Sequence, residues 1–199
     1  MEEMHMNANE ILKMSIQNVR EMYSNSILIL RDVDTQLSKL NLMPLFGNTL
    51  GSETSKSITQ TTEQFNTFFP QFMCRVYVRV AEQHLKVVFV NVQFYHTNYP
   101  TLGPTVNVGV FTLPEPYTSI ELKKKLYYWW LKYAIFETNT SEQIDVTGNH
   151  IETQPWIENG DTTVCHFWSY ELVHFQHHGD IQSKVVQGIL QYFSTPRDN

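Results

Sequence analysis

Between Asn7 and Leu40 the apolar residues Leu12, Ile16, Val19, Tyr23, Leu30, Val33, Leu37 and Leu40 recur in alternating steps of four and three, with Ser26 the one polar residue in the seam. That spacing is the heptad signature of a helix whose stripe packs against another helix. Neither Gly nor Pro interrupts it, so the pattern predicts one helix over residues 7–40, roughly 50 Å long at 1.5 Å per residue. Such a helix exceeds the width of a compact domain of this size. It is expected to project from the body or to mediate assembly, with the seam residues as the interface.

The polar stretch GNTLGSETSKSITQTTEQFNTFFP, residues 47–70, then predicts a flexible loop. A change to period two follows. Phe72, Cys74, Val76, Val78 and Val80 alternate with Arg75, Tyr77 and Arg79; Val88, Val90, Val92 and Phe94 alternate with Asn91 and Gln93; Val106, Val108 and Val110 alternate with Asn107 and Gly109. The three runs predict an antiparallel meander with one buried and one polar face. PEPYTS introduces a helix from about Ser119 to Glu137, Asn159-Gly160 marks a hairpin between two further strands, and Ile181, Val185, Ile189 and Tyr192 define a last amphipathic helix. The predicted fold is α+β: a long N-terminal helix and a largely antiparallel sheet of about five strands, packed with two further helices in one domain over residues 1–199.

Composition narrows the function classes. With 42% hydrophobic and 13% aromatic residues, the 199-residue chain can fill one core. A net charge of -6 argues against general nucleic-acid binding, which draws its affinity from Lys and Arg on phosphates. The charge is uneven: no Lys or Arg lies between Lys132 and Lys184, an interval rich in Asp and Glu. The acidic start MEEM lacks the basic and apolar regions of an export signal, and no apolar run reaches the roughly 20 residues that span a bilayer. Cys74 and Cys165 sit in strand patterns and read as reduced core residues. A cytoplasmic protein that makes no membrane contact is expected.

Chemistry suggests itself in three places. CHFWSYELVHFQHHGD, residues 165–180, holds four of the eight histidines. A two-residue Asn159-Gly160 loop sets Glu152 opposite Phe167 and His150 opposite Ser169, which sends His166 and His174 to one face and gathers His150, Glu152 and Glu171 on the other. That trio is the candidate acid/base centre, because a carboxylate beside an imidazole favours its charged form; the dispersed histidines predict no metal site, and no cofactor is expected. On the meander's polar face, Arg75, Tyr77, Arg79, Asn91, Gln93 and Asn107 are the candidate ligand-binding set, since arginines on alternate residues can grip a phosphate or carboxylate and Gly109 permits close approach. The wet side of any antiparallel sheet presents the same pattern. In IELKKKLYYWWLKY the aromatic residues follow core spacing, which favours packing over nucleic-acid or membrane contact. GSETSKS lacks the glycine before its lysine that a phosphate loop needs, and it follows a helix rather than a strand.

The leading reading is a noncatalytic interaction or adaptor subunit that self-associates or docks onto a protein partner through the heptad helix. A small-ligand or nucleotide sensor on the arginine-bearing face, and a metal-dependent or acid/base enzyme centred on His150, Glu152 and Glu171, are the alternatives.

Overall fold

A computed structural model of the protein describes residues 7–52, 71–95, 101–125, 146–158 and 161–193. The first element, α1, is Ala8–Ser38. Asn7 fixes its start: the side-chain oxygen accepts from the Glu10 amide at 3.0 Å while the Glu10 carboxylate accepts from the Asn7 amide at 3.2 Å, a reciprocal capping box. Just past its end Asn41 takes a φ of 57°, a left-handed conformation that Asn tolerates better than most side chains.

One antiparallel sheet contains β1 (Leu42–Pro44), β2 (Gly51–Ser52), β3 (Phe72–Arg79), β4 (Gln83–Gln93), β5 (Thr105–Thr118), β6 (Ile151–Glu158) and β7 (Asp161–Glu171). Its order is β1-β3-β4-β5-β7-β6, with β2 also paired to β3. A short helix, α2 (Ser119–Lys125), follows β5. A 3-10 turn at Leu172–His174 leads into α3, residues 178–193, built from helical His178–Ile181, a π turn at Gln182–Val186 and helical Gln187–Phe193.

This is the expected α+β architecture, with the meander in β3 to β5 and the hairpin in β6 and β7. Two short strands, β1 and β2, had no periodic signal; β2 begins inside the segment predicted as loop. Most of that loop (53–70) and the predicted extension of α2 to Glu137 lie outside the described residues. No helix among the described residues is long and apolar enough to cross a membrane.

The strand registers correct the expectation of one wet face. Val88, Val90, Val92, Val106, Val108 and Val110 form a core with Ile29, Leu30, Val33 and Leu37 of α1 and Ile181, Val185, Ile189 and Phe193 of α3. On the other side Cys74, Val76, Phe89, Phe111, Cys165 and Phe167 form a second core with Leu45, Tyr117 and Leu122. Both faces of the sheet are therefore buried. Cys74 and Cys165 are both buried free thiols, and burial pushes both well above their ordinary pKa. Gly109 opens no ligand site either: a Cβ there would meet the Phe89 ring at 2.2 Å, so that ring fills the space its missing side chain leaves.

Candidate functional site

The seam predicted on α1 divides in two. Leu30, Val33 and Leu37 are buried against the sheet, Tyr23 packs edge-on to Phe94 at 4.7 Å, and Leu40 borders the same core. Ser26, the polar interruption, is buried as well and donates to the Met22 carbonyl at 2.7 Å, so the helix itself satisfies the hydroxyl. This half of the predicted interface is thus filled by the chain's own sheet. Residues 8–21 differ: every one is exposed, including Ile11 at 50%, Leu12 at 59%, Ile16 at 54% and Val19 at 38%. They form an overhang about 21 Å long.

Asp34, Arg75 and Tyr77 fasten the seated half. Arg75 on β3 donates through Nε and Nη2 to the two Asp34 carboxylate oxygens at 3.2 and 2.6 Å, and through Nη1 to the Gly47 and Thr49 carbonyls at 2.7 and 3.0 Å. The Tyr77 hydroxyl donates to Asp34 Oδ1 at 2.8 Å. Burial, and then the Asp34 charge, raise the Tyr77 pKa well above its ordinary value, so the phenol remains a donor. The arginine proposed to grip a ligand instead ties together α1, β3 and the loop after β1.

The rest of the candidate ligand set does not stand beside it. Register pairs Arg75 with Val90 and Tyr77 with Val88, whereas Asn91 pairs with Cys74 and Gln93 with Phe72. Because side chains alternate along a strand, Asn91, Gln93 and Asn107 lie on the opposite face from Arg75 and Tyr77. They are at most 3% exposed and bonded within the fold: Asn91 Nδ2 donates to Gln93 Oε1 at 3.0 Å, and the Asn107 Oδ1 accepts from Ser169 Oγ at 2.6 Å. Arg79 is exposed, with its guanidinium carbon 5.0 Å from the centre of the Phe193 ring.

The candidate acid/base trio is also divided. Near its turn the hairpin has the expected register, with Ile157 opposite Thr162, but an irregularity between Thr153 and Trp156 shifts the pairing, so Glu152 faces His166. A one-residue shift sends side chains to the other face. His150 and Glu152 join His166 and Trp168, while Glu171 pairs with Thr105 and lies 3.9 Å from His174. The His150 ring stacks on Trp168 at 4.4 Å, His166 stacks on Tyr192 at 4.3 Å, and Glu152 lies 3.6 Å from His166. No group of three or more metal-ligating side chains occurs among the described residues.

Two histidines, the buried His84 and the exposed His150 stacked on Trp168, make stability pH-dependent. Burial lowers the pKa of His84, whose Nδ1 is buried without a partner and whose Nε2 meets Ser119 at 2.8 Å; burial, and then the His166 charge, lower that of His150. In the unfolded chain each binds a proton near 6.5, and in the folded chain only at lower pH. Their contribution is therefore present above pH 6.5 and lost as the pH falls through the folded values. Urea midpoints are expected to drop between about pH 7 and pH 5, above the main carboxylate range, and to drop less in His84→Gln. Equal slopes for the two proteins would count against this assignment.

Beside α1, a groove of about 560 Å³ lies between Met22, Leu28, Ile29 and Asp32 and the segment carrying Leu172, Val173, Phe175, His177 and His178. His178 lines it, with Nδ1 3.6 Å from Asp32 and Nε2 against the Gln36 amide. His177 caps the start of α3: Asp180 accepts from the His177 amide at 2.9 Å and also pairs with Lys184. Lys184, and then the backbone amide, hold the Asp180 carboxyl at about 2.

Compared with known proteins, the chain matches no family model, no curated protein and no solved structure.

Proposed function

We propose that the protein is a noncatalytic interaction subunit that docks into an assembly through residues 8–21 of α1. One observation carries the reading: an unburied helical segment presents Ile11, Leu12, Ile16 and Val19 to water while the following turns of the same helix are seated in a core. A short helix without tertiary support is marginal in water. Covering its apolar stripe would contribute about 1.5–3 kcal/mol for each large side chain fully buried.

The ligand and enzyme readings have less support, because Arg75 spends its donors inside the fold and Glu171 stands apart from His150 and Glu152. Sedimentation velocity on the full chain, alone and with a leucine-seam helical peptide, tests the docking reading. Association is expected in at least one setting and should vanish in the Leu12→Asp/Ile16→Asp protein. Since those side chains are exposed, its thermal midpoint should stay close to the parent's. A wild-type chain that associates with neither itself nor the peptide would end the reading.

A further inference from the structure

We infer that the overhang of α1 receives an amphipathic helix of a different protein whose seam is flanked by carboxylates, rather than a second copy of this chain. The inference rests on the docking reading and specifies its occupant. At 3.6 residues per turn, Ile11, Leu12, Ile16 and Val19 share one arc of the helix. Lys13 and Arg20, seven residues apart, stand on one flank of that arc; Asn18 and Asn25 stand on the other, and Glu10 and Glu21 point to the far side. All of these residues are exposed. Among the described residues neither Lys13 nor Arg20 makes an ion pair.

Symmetry then separates the occupants. In an antiparallel pair of copies the same flanks meet, which sets Lys13 and Arg20 against Lys13 and Arg20 and is repulsive. A parallel pair sets them against Asn18 and Asn25, which offer no carboxylate. Neither arrangement pairs the two cations, whereas a foreign helix with Glu or Asp beside its apolar seam pairs both, in the way flanking charges select coiled-coil partners. A membrane surface fits less well. The face that would stay in water carries Glu10, Gln17 and Glu21, whereas helices that lie on anionic lipid are rich in Lys and Arg there.

The test uses the full chain and two synthetic peptides of about three heptads, identical in their leucine seam, one flanked by Glu and the other by Lys. Fluorescence anisotropy at low salt is expected to give binding about tenfold tighter for the Glu-flanked peptide, a gap that narrows at high salt. Lys13→Glu/Arg20→Glu should invert the preference, and Leu12→Asp/Ile16→Asp should abolish binding of both. Equal affinities would overturn the inference and leave the docking reading standing, as would a dimer in light scattering that the Leu12→Asp/Ile16→Asp change dissolves. Binding to anionic vesicles in preference to either peptide would overturn it in favour of a lipid surface. Failure to bind either peptide, in a chain that also stays monomeric, would remove both readings together.

Discussion

Asp34→Ala is expected to lower the free energy of unfolding by about 3–5 kcal/mol, the range for leaving one member of a buried ion pair without its counter-charge. The Arg75 side chain is only 6% exposed, and its guanidinium stays charged at any workable pH. Without Asp34, two of its donor groups and the Tyr77 hydroxyl lose their acceptor inside the fold. The reverse truncation should cost less. In Arg75→Met the methionine fills part of the space, and the Asp34 side chain, 31% exposed, can turn to solvent. Urea unfolding of the two variants measures the asymmetry; an Arg75→Met protein that is the less stable of the two would contradict this account of the charge.

Removing the Trp168 ring should be about as damaging, with an expected loss of about 3–5 kcal/mol for Trp168→Ala. The residue is 1% exposed on β7, beneath α3, and its Nε1 donates to the Lys184 carbonyl at 2.7 Å. Gly188 makes room for it, since a Cβ there would meet the ring at 2.4 Å. Truncation would therefore leave a cavity under α3 and a carbonyl without its donor. Trp168→Phe keeps much of the volume but not the N–H, and should fall between the parent and Trp168→Ala. Hydrogen exchange separates the effects by place: amides of α3 should lose more protection than those of β3 and β4. Uniform loss across the sheet would mean that α3 does not open separately.

Much of the fold was legible because its signals are local. The heptad of α1, the alternation in β3 to β5 and the Asn159-Gly160 turn each follow from residues close in sequence, and the element order follows from them. Pairing across the sheet was not legible. Alternation says that Arg75 and Val76 face apart, but only register says whether Arg75 shares a face with Val90 or with Asn91. The assumed common polar face depended on that choice and separated when it went the other way. In the hairpin, the turn sequence set the first pairs correctly, and the irregularity between Thr153 and Trp156 then sent Glu152 to His166. Asp34 carries almost no signal in the sequence. Its sole signal was a carboxylate next to Val33, on the flank of the seam, and its partner lies 41 residues away. Lys13 and Arg20 were likewise visible as letters, but their place gained meaning once the exposed and seated halves of α1 were distinguished.

The Arg75 guanidinium also has a mechanical consequence. It reaches two stretches of chain besides its own strand: Asp34 in α1, and Gly47 and Thr49 beyond β1. The overhang is the outer arm of a lever seated by Leu30, Val33 and Leu37 against the sheet and by this ion pair beside them. A load applied to residues 8–21 passes along the helix to Asp34 and from there into the flank of β3, where β1 and β2 are held. Force on residues 8–21 therefore meets the apolar seat of Tyr23, Ile29 and Leu30 first and the ion pair at Asp34 behind it.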